Sequence, residues 1–246
     1  MGSLYGKKAL VTGGSRGIGR AIVERLADDG ASVMFSFVQN KTAADDVVVS
    51  ARRSGGRVFA TQSDQGDKRD LERLFDEAEQ RLGGLDILVI NAATFMQAKV
   101  LDVTEDEYDR IMAVNTKGSL LAIQHAGQRL RDNGRIINIS TSATMRPSPG
   151  WPIYAASKAA VEHFITAAAY ELGQRGITVN SLSPGATHTD GLIREQSPEK
   201  LDEFVRLTAL RRLGKPADIA NVAAFLAGPD SQWITGQNLR ATGGLG

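Results

Sequence analysis

The chain has 246 residues, 42% of them hydrophobic, with 29 Lys and Arg against 28 Asp and Glu for a net charge of +1. That size and apolar content suit one substantial core, and the balanced charge gives no reason to expect nucleic acid or an acidic membrane surface as partner. The absence of cysteine excludes disulfides, thiol catalysis and cysteine-ligated metal. No apolar run approaches the roughly 20 residues of a membrane helix, and the chain opens into a strand pattern rather than a signal peptide, so a cytoplasmic protein is expected.

Strand-like runs recur at Ala9–Thr12, Ser32–Phe37, Val58–Thr61, Ile87–Ile90, Ile136–Ile139, Thr178–Leu182 and Asn238–Ala241. Helical patterns lie between them, such as the apolar stripe Leu71, Leu74, Phe75, Ala78 and Leu82 with charges opposite. This alternation predicts an α/β fold: a Rossmann-like, doubly wound parallel sheet, helices on both faces, one domain over residues 1–246. Its ligand crevice is expected at the carboxyl ends of the strands. Thr104 with Glu107 reads as a capping box, and Ser197-Pro198-Glu199 as a cap followed by proline at the first helical position.

Between the first strand and the helix marked by Ile18, Ile22 and Leu26 lies Thr12-Gly13-Gly14-Ser15-Arg16-Gly17-Ile18-Gly19. Glycines placed there let the backbone turn tightly and approach a pyrophosphate, which a helix N-terminus attracts through its free N–H groups and dipole. An acidic residue about 20 positions further on would bind a ribose 2′-hydroxyl and disfavour a 2′-phosphate. The corresponding stretch, Phe35 to Lys41 with Ser36 and Phe37, carries no carboxylate. Arg16 can reach the same ribose, and a guanidinium suits a phosphate. NADP(H) is therefore expected over NAD(H); the competing reading makes Arg16 a solvated surface residue.

Further along, Tyr154 precedes Lys158 by four residues in an Ala-rich helical pattern. That spacing stacks both side chains on one helix face, roughly 6 Å apart along the axis. An ammonium beside a phenol favours the phenolate and lowers its pKa, which suits proton exchange with a carbonyl or an alcohol. No His, Asp and Glu cluster has metal-ligand spacing, so no metal is expected.

These motifs together resemble the short-chain dehydrogenase/reductase family, in the branch with a Thr-Gly-x-x-x-Gly-Ile-Gly loop. The resemblance covers nearly the whole chain: Thr12, Gly13, Gly17, Ile18 and Gly19, then Asp64, Asn91-Ala92, Asn115, Tyr154 and Lys158, Pro184-Gly185 with Thr189, and Ile234-Thr235-Gly236-Gln237. It implies a reversible carbonyl reductase in which Tyr154 protonates the developing alkoxide. Lys158 would tune the tyrosine and bond the nicotinamide ribose, and Asn115 would hold a water in a proton relay; the competing reading makes Asn115 a buried residue that satisfies neighbouring backbone. The family places a serine thirteen residues before the tyrosine; here that position is Thr141, which offers the same hydroxyl, with Ser142 as the alternative.

By the same resemblance the cofactor would contact Gly13, Ser15, Arg16, Gly17, Ile18, Gly19, Ser36, Phe37, Asp64 (toward the adenine amino group), Gln65, Asn91, Ala92, Ala93, Pro184, Gly185, Thr187 and Thr189, besides Tyr154 and Lys158. A substrate lid would span 187–212. Phe95, Met145, Trp151 and His188 would wall the substrate near Thr141, Ser142 and Tyr154. This mostly apolar and aromatic set favours a hydrophobic or aryl ketone or a ketoester over a free sugar. The alternatives are an NAD-linked alcohol or sugar-alcohol dehydrogenase and a β-ketoacyl carrier-protein reductase, for which Arg129 and Arg131 could meet an acidic carrier, although two arginines read more simply as a solvated helix end. A non-enzymatic NADP(H) sensor is disfavoured by the intact Tyr154 and Lys158. His125 and His163 read as ordinary packing or surface residues. The helices of Asn115 (Leu120, Leu121, Ile123) and Tyr154 (Ala159, Ala160, Val161, Ala167 to Ala169) carry an apolar surplus, which the resemblance explains by pairing with their two-fold mates. With a second contact from the tail, Ile234 to Leu245, it implies a homotetramer, a dimer being the alternative.

Overall fold

The computed structural model describes residues 3–53, 55–146 and 149–245. Seven strands, β1 Lys8–Val11, β2 Ser32–Phe37, β3 Arg57–Gln62, β4 Leu85–Ile90, β5 Leu130–Ile139, β6 Thr178–Pro184 and β7 Asn238–Ala241, form one sheet in the order β3-β2-β1-β4-β5-β6-β7. Every pairing is parallel. Consecutive parallel strands need crossovers, which the helices supply. These are α1 Gly17–Asp28, α2 Lys41–Arg53, α3 Lys68–Leu82, α4 Glu105–Ile111, α5 Gly118–Arg129, α6 Pro152–Leu172, α7 Asp190–Glu195, α8 Pro198–Leu207 and α9 Pro216–Ala227.

Successive strand residues point to opposite faces, and the sheet divides its apolar side chains accordingly. Ala9, Val11, Val33, Phe35, Ile87 and Val89 meet Ile22, Leu26, Val47 and Ala223 from α1, α2 and α9. Leu10, Met34, Leu88 and Ile90 meet Leu71, Phe75, Ile123, Val161 and Ile165 from α3, α5 and α6. Ile123, Val161, Ala168 and Ala169 are therefore core residues, which removes them from the apolar surplus expected at a subunit contact.

The strand order reverses between β1 and β4, and the first turns of α1 and the segment after β4 meet at that crevice. All seven expected strands are present. The largest departure is β5, which begins at Leu130 rather than Ile136; its pairing with β4 shifts register between Leu85 and Ile87. The capping box at Thr104 and Glu107 is formed, and Ser197 caps α8 by accepting from the Lys200 N–H at 3.3 Å.

Candidate active site

The glycine loop is built by exclusion of side chains. Gly13 has φ +71°, and a Cβ there would lie 2.9 Å from the Ala92 Cα. At Gly19 a Cβ would meet the Gly13 carbonyl oxygen at 2.1 Å, and at Gly14 it would overlap the Phe35 ring at 2.6–2.8 Å. The loop is also braced from β2 and β4. The Ser36 Oγ accepts from the Gly13 N–H at 3.0 Å, and the Thr12 Oγ1 accepts from the N–H groups of Asn91 and Ala92 at 3.0 Å each. The Asn91 amide donates to the Thr12 and Gly13 carbonyls at 3.0 and 2.8 Å.

The N-terminus of α1 then has no side-chain cap and no acid in its first turn. Unpaired N–H groups at a glycine-lined helix start fit a dinucleotide pyrophosphate. Arg16 stands exposed at the N-cap, and among the described residues it makes no ion pair. Thr189, at the start of α7, reaches over this loop, its Cγ2 being 3.3 Å from where a Gly17 Cβ would lie. Thr187 bonds back to the Gly185 carbonyl at 2.9 Å, shaping the turn after Pro184.

The second half of the site is α6, which places Tyr154 and Lys158 one turn apart on one face, as their spacing requires. The Tyr154 side chain is hydrogen-bonded to Thr141, which follows the end of β5. Thr141 also caps the 3₁₀ turn Ser142–Thr144 by accepting from the Ala143 N–H at 3.2 Å. Ser142 lies in that turn, one residue past the hydroxyl that reaches the phenol. Lys158, 3% exposed, donates through Nζ to the Ile139 carbonyl at 2.8 Å. Asn115 is wholly buried in a π-helical turn, Met112–Lys117, inserted between α4 and α5. Its Oδ1 accepts from the Thr94 N–H at 2.8 Å, and its Nδ2 donates to the Thr94 carbonyl at 2.9 Å and the Ser157 Oγ at 3.0 Å. Asn115 thus ties the segment after β4 to α6 within two turns of Tyr154.

Aromatic rings wall the phenol. Phe95 meets Tyr154 edge-on at 5.0 Å and Trp151 at 5.3 Å, and Trp151 stands 6.5 Å from both Tyr154 and Phe204. Phe204 comes from α8 and is not among the residues expected from the sequence; its signal is its place on an amphipathic helix capped by Ser197. Burial among these groups pushes the Tyr154 pKa up to about 12, with the Thr141 hydrogen bond acting in the other direction. This corrects the expectation that the neighbouring ammonium would lower it: the Lys158 Nζ is directed to a backbone carbonyl, and desolvation prevails. Burial likewise lowers Lys158 to about 8, against the opposing charge of Glu162.

Several expected contacts have other duties here. Phe37 is 7% exposed and packs in the core beside α1 and α2. The buried Gln65 amide bridges the carbonyls of Ala92 and Val114 at 3.0 Å each. Asp64 is exposed with Oδ1 accepting from the Gly66 N–H at 2.8 Å. His188 lines a cleft with Gly17, Arg20 and Thr189. Arg129 pairs with Asp76 and Glu79, and Arg131 donates to the Gly83 carbonyl, so both support their own fold rather than stand ready for a carrier. His125 stacks on Phe75 at 5.1 Å, an ordinary packing contact. Among the described residues no group of three His, Asp or Glu could hold a metal, and no helix is long and apolar enough to cross a membrane.

Residues 13–246 match a family described as enoyl-(acyl carrier protein) reductase. The hydroxynaphthalene reductase-like protein Arp2 of Metarhizium majus is 40% identical over 258 residues, covering 98% of this chain and 96% of that protein. The short-chain dehydrogenase/reductase from Serratia marcescens BCRC 10948 is 39% identical and superposes with a TM-score of 0.95 over 99% of both chains. The angucycline C-6 ketoreductase LanV, solved with bound NADP, is 41% identical with a TM-score of 0.94, covering 99% of this chain and 97% of its own.

Proposed function

We propose that this chain, which belongs to the short-chain dehydrogenase/reductase family, is an NADPH-dependent reductase of a hydrophobic or aryl ketone or ketoester. The observation that carries this reading is a phenol hydrogen-bonded to Thr141 inside a wall formed by Phe95, Trp151 and Phe204. Such a wall suits a flat apolar carbonyl compound and offers few partners for the hydroxyls of a sugar. A phenol near pKa 12 holds its proton at neutral pH, which a general acid must do until negative charge appears on the carbonyl oxygen.

A dinucleotide held at the glycine loop would supply the hydride. The residues do the rest. Gly13, Gly17, Gly19 and the α1 N-terminus would receive the pyrophosphate, and Arg16 would hold the 2′-phosphate. Thr141 orients the carbonyl oxygen, Tyr154 gives it a proton, and Lys158 supplies positive charge as the phenolate forms. Asn115 fixes the segment that covers the nicotinamide end. Catalysis here is orientation and electrostatics in a site shielded from water.

The carrier-protein alternative loses support because Arg129 and Arg131 are already engaged. A homotetramer remains the assembly we favour: Tyr170 on α6 and Trp233 before β7 are 85% and 97% exposed, near the two surfaces expected to pair. Light scattering with a monomeric mass at micromolar concentration and full activity would refute it. For the reaction, purified protein mixed with NADPH and a panel of aryl ketones should consume reduced nicotinamide. Tyr154→Phe should bind NADPH normally and keep less than about a tenth of the rate, since general acid catalysis is typically worth 100-fold or more. Oxidation of sugar alcohols with NAD exceeding ketone reduction with NADPH would overturn the assignment.

A further inference from the structure

The α6 face that carries Tyr154 and Lys158 continues one turn further to Glu162, a half-buried carboxylate to which the reaction as read above gives no task. Its Oε1 collects hydroxyl donors from the loop that bears Thr141. Ser140, the residue before Thr141, donates to it through Oγ in a short contact, and Thr144 does so through Oγ1 at 3.0 Å. The Thr144 hydroxyl is shared with the Thr141 carbonyl, also at 3.0 Å. Ser183 of β6 stands at 3.4 Å and gives its proton more closely to Asn238, at 2.8 Å.

We propose that Glu162 is a positioning residue for this site, its carboxylate clamping both ends of the Thr141 loop and serving as counter-charge to the Lys158 ammonium. Two hydroxyls that flank Thr141 on either side converge on one oxygen, so the loop cannot slide along β5 without losing both bonds. The same carboxylate sits one helical turn beyond Lys158, close enough to oppose the effect of burial on that amine. The second oxygen, Oε2, receives no hydrogen bond among the described residues, and Glu162 borders a cavity of about 330 Å³ with His163, Thr166, Ser181 and Gln237. The polar groups around the carboxylate are thus Lys158 and His163 from α6, the Ser140 and Thr144 hydroxyls from the loop after β5, Ser183 of β6, and Gln237 and Asn238 at the start of β7. Among the described residues, Glu162 is the one charge with a resolved effect on Lys158.

The inference rests on the ketone-reductase reading for its kinetic arm, and a second arm is independent of it. Glu162→Gln keeps an oxygen for Ser140 and Thr144 and turns its amide toward the cavity, so it removes the charge and leaves the clamp. Glu162→Ala removes both. In unliganded protein, urea unfolding followed against pH reads Lys158 directly. The pH at which stability begins to rise, near 8 in the wild type, should move downward in Glu162→Gln by about half a unit or more. In turnover, Glu162→Gln should keep kcat within about threefold at neutral pH and shift the alkaline limb of the profile the same way. Glu162→Ala should lose tenfold or more in kcat with the KM for NADPH little changed, because loop geometry and not cofactor binding has been released. An unshifted stability profile in Glu162→Gln, or a kcat for Glu162→Ala within threefold of wild type, overturns the proposal. A wild-type protein that reduces no ketone would defeat the reading of the reaction, while the unfolding arm would still judge Glu162.

Discussion

Thr141→Val is the substitution that most directly tests how the site is assembled. Valine keeps the shape and removes the hydroxyl, so three interactions are lost: acceptance from the Ala143 N–H at 3.2 Å, the bond with Tyr154, and donation to the substrate oxygen. The first two are hydrogen bonds between neutral groups, each worth about 0.5–1.5 kcal/mol of stability, so the protein should still fold. The third grows in the transition state as the carbonyl oxygen gains charge, where a hydrogen bond is worth about 1.5–3 kcal/mol. At 1.36 kcal/mol per decade this becomes a loss of roughly 10- to 150-fold in kcat. Ser142 lies one position into the turn and has no such contact with the phenol, so Ser142→Ala should stay within about threefold of wild type, roughly 0.6 kcal/mol. The assay is single-turnover consumption of NADPH with an aryl ketone, with circular dichroism to confirm folding. Thr141→Ser should recover most of the rate, because only a methyl group is lost. Reversed effects at Thr141 and Ser142 would show that the loop works in a different register and that the Tyr154 partner seen here is not the one used in catalysis.

Arg16→Ala should weaken NADPH binding by about 1.5–3 kcal/mol, roughly 10- to 150-fold in Kd, and leave NADH nearly unchanged; equal losses in isothermal titration would show that Arg16 does not read the 2′-phosphate. An acid intended to redirect preference toward NADH belongs at Val38, 46% exposed, rather than at the buried Phe37; Val38→Asp should raise the NADH:NADPH ratio of kcat/KM, and an unchanged ratio would count against the position. Lys158 has a folded pKa near 8 against 10.5 when free, so between those values the unfolded chain holds a proton that the folded chain has released, and stability rises with pH across that window. Lys158→Met should flatten this rise by on the order of 3 kcal/mol in urea unfolding of the unliganded protein, and an unaltered slope would refute the burial argument. Gly19→Ala would push a methyl into the Gly13 carbonyl at 2.1 Å and the Asn91 amide at 2.4 Å; it should lower Tm and abolish NADPH binding, and normal binding would mean that the loop is more pliant than its packing implies.

The fold was legible because it depends on patterns that are local along the chain. Val33 and Phe35 face one side of β2 and Met34 the other, and both sides are apolar because both faces are covered by helices. The glycine loop was legible for a related reason: strand, four glycines and helix are contiguous, and their meaning does not depend on distant contacts. The start of β5 was not. Leu130 to Arg135 includes Asp132, Asn133 and Gly134, a turn-like composition, yet Leu130 pairs with Leu85 across a register shift. Asn115 stands out in the sequence as a candidate, while the π-turn that holds it is hidden. One extra residue in a helical run changes the apolar period very little, and the turn is held by Thr94, which lies 21 residues earlier in the chain.

The site residues that the sequence could not place share one property, which is that their roles arise from segments meeting in space. Spacing alone put Tyr154 and Lys158 on one face of α6, and from two residues one predicts a phenol drawn toward ionisation. The folded site draws it the other way. Phe95 comes from the segment after β4, Trp151 from the entry to α6 and Phe204 from α8, and together they wall the phenol. Desolvation grows with how many groups surround a side chain, whereas a one-dimensional spacing reports only a single neighbour. The same reasoning explains Glu162. Read along α6 it is one more charge on an Ala-rich helix, and only when β5 brings Ser140 and Thr144 against it does the carboxylate acquire a purpose. A half-buried acid that gathers hydroxyls from the loop bearing Thr141 is held in place by the geometry it imposes, so loop position and amine charge should fail together when it is removed.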